Sequence, residues 1–417
     1  MDQKLRLGTE GYSPAVLRLL VRQAGKAASF KEASDDLREL ARIAVSPHHL
    51  GKLAERVGRE WAAARDQDVQ AFQKDELAAT HAQPPQVATV MVDGGRLQTR
   101  ADDEAPGVTD PDGREVKVAC CQTLSSPVQA TDPQPQPPSK FLDPIQAARL
   151  AAEMKSRSRP ARSRAKKAES SSPPRRRRRK GTKGTKRRRP VKLVRTVVAS
   201  MAPSEIFGWH MAAEVQRRGL ERAQRKGYIC DGQKYNWSLY ELHLVALGFV
   251  GILDFLHLLA YLYGAAQAVE GKGSVSAWTL YESWLRLAWA GRVAEVLAGL
   301  RAGCAKLGPA PPGCSEEDPR KVVAEARGYV ANNRGRMDYP QYRRLGLPIS
   351  SAPVESVIKQ VNRRLKGTEK FWLEGGAEAI LQVRAAYLSE DGRSERYWAR
   401  PRPYAPAVGK GRLRPVT

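Results

Sequence analysis

The spacing of apolar positions changes along this chain, and each change marks a new kind of element. Up to about residue 80 the spacing is helical. Ser13-Pro14 opens one helix, the capping box Ser29-Phe30-Lys31-Glu32 a second, and Ser46-Pro47 a third, with Leu50, Leu53, Val57 and Trp61 on one face. The second and third, joined through Ile43-Ala44-Val45, have the outline of a helix-turn-helix with Lys52, Arg56 and Arg59 outside the apolar face. A plain three-helix bundle gives the same pattern. After Pro84-Pro85 the pattern turns to strands. Residues 87–92 are a nearly continuous apolar run into Asp93-Gly94-Gly95, and residues 115–121 read as a second strand, antiparallel to the first. Asp-Gly is equally a hairpin signal. Residues 194–200 form a third strand, a helix follows over 203–224, and residues 227–230 form a short strand that ends in Asp231-Gly232. Residues 249–253 then end in Asp254. Strands that each finish in Asp suggest one sheet with its acids gathered along one edge, where ligand sites of α/β sheets commonly lie.

From residue 255 to about 333 the pattern is helical again, in segments 255–269, 275–307 and 318–332, with a Pro/Gly break at 308–313. Trp278, Tyr281, Trp284 and Trp289 in this block read as core. Residues 244–269 are apolar enough to resemble a membrane span, but Asp254 and His257 would lie near its middle, where an Asp costs roughly 2.5–3.5 kcal/mol. A strand running into a buried helix explains the same residues without that cost. In the last pattern, Ser351 can cap a helix with Pro353 in its first turn. Val354, Ile358, Val361 and Leu365 form its apolar stripe, and Glu355, Lys359, Asn362 and Lys366 form a second line, with Arg363, Arg364 and Lys370 close by. This is either a solvated face or a carboxylate aimed at a metal, on a helix whose other polar groups hold phosphates.

Charge narrows the choice of partner. The 417 residues carry 70 Lys and Arg against 44 Asp and Glu, a formal net charge of +26, which points to a polyanion, nucleic acid before membrane. Part of that charge lies in residues 129–190, a Pro/Gln segment, a short helical stretch over 144–155, and an Arg-rich run that includes Arg175, Arg176, Arg177, Arg178 and Arg179. Such a segment reads as a linker, disordered when free, that binds phosphate without regard to sequence. The 5 cysteines form no CxxC pair and the 6 histidines no HxxxH, so a zinc site is not expected and a reducing cytosol fits. No signal peptide opens the sequence.

The motifs VMVDGGR, YICDGQKYNW, ILDFLH and LPISSAPVESVIKQVNRRLKGTEKFW together resemble bacterial insertion-sequence transposases of the ISKra type, DDE enzymes distantly related to Mutator-like transposases. The resemblance covers roughly residues 10 to 390 outside the Arg-rich insert. It implies an α/β fold with a ribonuclease-H-like mixed-sheet core, an all-helical insertion, a helix-turn-helix-like N-terminal region and a disordered basic insert. The corresponding boundaries are 1–82 for the DNA-binding helices and 85–128, 191–254 and 339–390 for the core. The basic insert takes 129–190, the helical insertion 255–338 and a basic tail 391–417. The family's catalytic acids fall on Asp93, Asp231 and Glu355, and its Asp-x-x-His element on Asp254 and His257.

By the same resemblance, those acids would hold two Mg²⁺ ions, or Mn²⁺, about 3.5–4 Å apart, with Asp93 bridging and Asp231 and Glu355 each completing one side. Water would cut double-stranded DNA at the transposon end, and the released 3′-hydroxyl would attack target DNA, in a homo-oligomer on DNA in the bacterial cytoplasm and nucleoid. Asp254, His257, Lys359, Asn362, Arg363, Arg364, Lys366, Lys370 and the run Arg175 to Arg179 are the expected DNA contacts. For Asp254 and His257, a buried polar contact is an equal reading. The chain departs from the family in its longer, more basic insert, and in starting inside the helical region without a Cys-containing ribbon, which suggests an N-terminally truncated reading frame. A ribonuclease-H-like nuclease without strand transfer, or a non-catalytic transposase-derived DNA-binding protein, remain the alternatives.

Overall fold

The computed structural model describes residues 11–80, 83–100, 113–158, 190–367 and 370–400. The apolar run at residue 87 becomes β1 (Val87–Leu97), followed by β2 (Thr99–Arg100), β3 (Arg114–Ser125), β4 (Val191–Ser200), β5 (Arg225–Cys230) and β6 (Val250–Leu253). These build a mixed five-stranded sheet of order β4-β3-β1-β5-β6, from which β2 is separate. β1 pairs antiparallel with β3, and β3 with β4, whereas β1–β5 and β5–β6 are parallel. The middle of the sheet is largely apolar: Val87, Val90, Met91 and Val92 are fully buried, as are Cys120, Cys121, Tyr228, Ile229 and Ile252, with Thr89 and Gln122 buried among them. Continuous apolar runs, as opposed to alternating ones, are what a strand covered on both faces requires.

At the N-terminus lie α1 (Pro14–Lys26), α2 (Phe30–Ala41) and α3 (Pro47–Gln73). Ser13, Ser29 and Ser46 accept hydrogen bonds from the backbone N–H of Val16, Glu32 and His49, each satisfying an orphan donor of the first turn. Glu32 reaches back to the N–H of Ala28 (2.8 Å). These helices do not stand apart as a helix-turn-helix domain. The 27-residue α3, about 40 Å long, packs along α5 (Ser204–Arg217) and α13 (Glu374–Leu388). At Gly58 it approaches α13 so closely that a Cβ would sit 2.1 Å from the Ala379 carbonyl oxygen. The apolar face read from Leu50, Leu53 and Val57 is thus filled by this packing, while Lys52 and Arg59 stay exposed.

Several expectations need correction. β1 does not stop at Asp93, because β3 pairs with it without interruption from Val87 to Leu97, so Asp93-Gly94 lies inside a strand and not in a hairpin. The helix expected over 203–224 ends at Arg217, where Gly219 takes a left-handed backbone (φ 64°) and starts a separate 3-10 turn. The segment 275–307 is two helices, α8 (Val275–Trp289) and α9 (Val293–Leu307), split at Gly291 (φ 73°). Residues 129–158 are not free linker: α4 (Pro144–Ser158) packs on α7 (Phe255–Glu270), and Phe141, Ala147 and Met154 are buried. Asp132 forms an ion pair with Arg343, and Trp289 Nε1 donates to the Gln134 carbonyl (2.8 Å). The Arg-rich part of that segment, with Arg175 to Arg179, lies outside the described residues.

Residues 244–269 resolve into a turn, β6 and α7, and among the described residues no helix is long and apolar enough to cross a membrane. The remaining elements are α6 (Lys234–His243), α10 (Pro319–Asn332), α11 (Tyr339–Arg344), α12 (Ala352–Leu365), β7 (Trp372–Leu373, parallel to β2) and α14 (Arg393–Ala399).

Candidate active site

Strand register alone brings the first acids together. Met91 on β1 is level with Ile229 on β5, and Cys230 on β5 is level with Leu253 on β6. Counting forward along parallel strands, Asp93, Asp231 and Asp254 fall side by side at one edge, about 4.8 Å from strand to strand. β5 stops at Cys230 while β1 runs on to Leu97 against β3, which opens a crevice between their ends.

Asp93 is half-buried there, and Gly94 N–H donates to its Oδ1 (2.7 Å). Burial raises its carboxyl pKa to about 7, and the negative charges of Asp231 and Glu355 add to the rise. Asp231 is held by the Asn236 side chain (2.8 Å) and the Gln233 N–H (3.1 Å), both on Oδ1, which keeps Oδ2 available to a ligand. Its carbonyl accepts from the Tyr329 hydroxyl (2.8 Å). Asn236, wholly buried in the first turns of α6, was not singled out from sequence. Its place five residues after a strand-end acid is the only signal that could have found it.

Asp254 takes a different role from Asp93 and Asp231. It is fully buried and N-caps α7, with Oδ1 accepting from Leu256 N–H (3.4 Å) and Oδ2 from His257 N–H (3.2 Å). His257 Nδ1 also donates to Oδ2 (2.5 Å), and Ser351 N–H donates to Oδ1 (3.0 Å). Asp254 is therefore no surface contact for DNA. Burial by itself would raise its carboxyl pKa, but the hydrogen bond and charge of His257 and the Ser351 N–H hold it below the ordinary range. His257 shows the opposite balance. Burial would lower its pKa, yet the bond to Asp254 and the charges of Asp254, Asp231 and Asp93 raise it to about 9.

The bond from Ser351 to Asp254 fixes the head of α12. Ser351 stands at the N-cap position, but its own side chain makes no capping bond, contrary to expectation. Phe255 N–H adds a link to the Ile349 carbonyl (3.0 Å), so the loop before α12 is tied to the end of β6. α12 packs on β1 and β3 through Val354, Val357, Val361 and Leu365, and Ile358 is only half-buried. This places the buried Glu355 in the first turn at the crevice, where one ligand atom each from Asp254, His257 and Glu355 lie within 4.8 Å of one another. Among the described residues, that is the group with metal-ligand spacing; Asp93 and Asp231 lie outside it, although Asp231 is close enough for its charge to raise the Asp93 pKa.

The basic residues of α12 divide. Lys359 is exposed and pairs with Glu153 of α4 (2.7 Å), Arg363 is exposed, and Asn362 and Lys366 are half-buried. Lys370 donates to the Arg364 carbonyl (3.2 Å). Arg364 is not a DNA contact: it is 2% exposed, its Nε donates to the Ala24 carbonyl (2.7 Å), and its guanidinium lies over Phe30 and Trp372. It staples α12 to the turn between α1 and α2, and burial lowers its pKa to about 10. An alternating charge line on a helix does not tell which of its members faces inward.

No family model matches this chain, and no curated protein is significantly similar to it in sequence.

Proposed function

We propose that this chain is a DDE transposase that cuts DNA at transposon ends and joins them to target DNA, with Asp93, Asp231 and Glu355 as its catalytic carboxylates. The observation that carries the reading is the approach of these acids, 124 residues apart between Asp231 and Glu355, to one edge of the sheet, where burial raises the Asp93 pKa to about 7 and the charges of Asp231 and Glu355 add to the rise. Buried carboxylates held near one another, each offering hard oxygen donors, fit divalent cations such as Mg²⁺. The sheet supports the same reading, since antiparallel partners on one side of β1 and parallel partners on the other are expected of a ribonuclease-H-like core. So does the helical block between β6 and α12, which stands where the resemblance puts an insertion.

In this reading each residue has a distinct task. Bound divalent ions would supply Lewis acidity and charge neutralisation at the phosphodiester. Asp93 bridges the crevice from β1, and the Gly94 N–H fixes one of its oxygens. Asn236 and the Gln233 N–H set the rotamer of Asp231. Glu355 enters from α12, whose exposed Arg363 and Lys359 lie on the route of the DNA backbone. Duplex DNA is the substrate and a homo-oligomer on DNA the working form.

The test uses Glu355→Gln, Asp93→Asn and Asp231→Asn with DNA carrying the sequences that flank the reading frame. Each variant should fold, bind that DNA at near wild-type affinity, and show almost no cleavage or joining in Mg²⁺. Wild-type cleavage without joined product would make the protein a nuclease. Cutting at the wild-type rate by folded Glu355→Gln would remove Glu355 from the catalytic set and end the proposal.

A further inference from the structure

We propose that the cation site takes a nitrogen ligand, Nε2 of His257, beside the Glu355 carboxylate, and that it therefore prefers Mn²⁺ to Mg²⁺. This rests on the catalytic reading above and deepens it by naming a ligand that an all-carboxylate site lacks. The group with ligand spacing is Asp254, His257 and Glu355, and its members do not contribute alike. Asp254 accepts four hydrogen bonds, from Leu256 N–H, Ser351 N–H, His257 N–H and His257 Nδ1, which fill the lone-pair directions of both its oxygens. It cannot also ligate a cation without giving up the α7 cap or the α12 anchor. Its remaining role is to orient the imidazole.

With Nδ1 committed to Asp254, Nε2 is the nitrogen left to ligate. His257 sits in the first turn of α7, directly after the end of β6 and beside the strand that ends in Asp231. Glu355 joins the group from the first turn of α12, whose head Asp254 itself holds, with one ligand atom of each residue within 4.8 Å. A carboxylate behind an imidazole in front of a cation is the arrangement by which proteins fix the tautomer and direction of a histidine ligand. On binding, the cation takes the Nε2 lone pair and any proton there leaves to solvent. Mg²⁺ favours all-oxygen, largely hydrated coordination, whereas Mn²⁺ stands higher in affinity for sites with an imidazole donor.

The experiment adds Mn²⁺ alone to the full chain, prepared with natural and with ¹⁵N-labelled histidine, and records electron spin-echo modulation. Directly coupled ¹⁴N should appear in the natural protein and become ¹⁵N in the labelled one. The coupling should vanish in Glu355→Gln, which separates this site from surface imidazoles such as exposed His48. His257→Gln should lose the coupling and bind Mn²⁺ at least about 10-fold more weakly, with less loss for Mg²⁺. Should His257→Gln not fold, the labelled wild-type protein and Glu355→Gln still decide. Mn²⁺ bound without nitrogen coupling, or coupling that survives Glu355→Gln, overturns the histidine ligand and leaves the carboxylate site standing. No Mn²⁺ binding at all overturns both.

Discussion

Asp93→Asn should make the cation-free protein more stable, and the gain should depend on pH in a defined way. Burial first, and the charges of Asp231 and Glu355 after it, raise the native carboxyl to about 7 against an ordinary 3.8, so near pH 8 folding forces an ionised Asp93 into a desolvated place beside two acids. Three units correspond to a ceiling of about 4 kcal/mol, and partial access of solvent to the crevice reduces this to about 1–2 kcal/mol. The asparagine keeps an oxygen for the Gly94 N–H and removes the like charge. For the sign, a carboxyl whose folded pKa is raised binds more protons folded than unfolded between 3.8 and 7. Its cost is therefore absent below about pH 4, grows as pH rises to about 7, and is constant above that.

His257 runs the other way: its raised pKa contributes stability that is full below pH 6.5 and lost as pH passes about 9, in both proteins but less in Asp93→Asn, which lacks one of the charges that raise it. Urea unfolding in EDTA at pH 5 and pH 7.5 separates the two effects. The stability gap between Asp93→Asn and wild type should widen by about 0.5–1 kcal/mol over that interval, the rest being present already at pH 5. A gap that stays constant, or a variant less stable than wild type at pH 7.5, would refute the crowding of charge at Asp93.

Further outcomes follow from the same geometry. Arg364→Met removes a buried guanidinium that bonds the Ala24 carbonyl and covers Phe30, and should cost about 2–4 kcal/mol in urea unfolding while leaving the salt dependence of DNA binding unchanged. Deleting residues 175–189 should do the reverse, weakening binding to all DNA sequences about equally and flattening its salt dependence at unchanged stability. A changed sequence preference with an intact salt slope would show that the segment reads bases.

Where one local pattern had one structural meaning, the sequence was legible. Apolar runs at residues 87, 115, 194, 227 and 249 all became strands of one sheet, and the antiparallel first pair came out as read. The serine caps of the first helices did as well. What failed was whatever depended on a distant partner. Asp93-Gly94 looked like a turn because nothing local shows that β3 runs alongside it. Pro/Gln-rich residues 129–143 looked like linker because Phe141 needs the aromatic pocket of Phe255 and Trp289 to become core. Arg364 looked like its neighbour Arg363, since only the turn before Phe30 distinguishes them.

The fate of Asp254 explains how the crevice acquires an acid from so far along the chain. Asp93, Asp231 and Asp254 end equivalent stretches of parallel strands, and strand register gives them equal claim to the edge. β5 is followed by an extended turn before α6, so the Asp231 side chain is left at the surface of the crevice. β6 is followed at once by α7, whose first N–H groups need an acceptor, and Asp254 is the residue in position to provide it. Capping draws that carboxylate inward and removes it from the crevice. The same carboxylate then accepts the Ser351 N–H, and the Phe255 N–H binds the Ile349 carbonyl, so the loss of one acid fixes the entry of another, Glu355, one turn into α12. The geometry of the site thus depends on a fully buried acid that follows an apolar strand as Asp231 does, but is succeeded by Phe255 and a helix where Asp231 is succeeded by Gly232 and a turn.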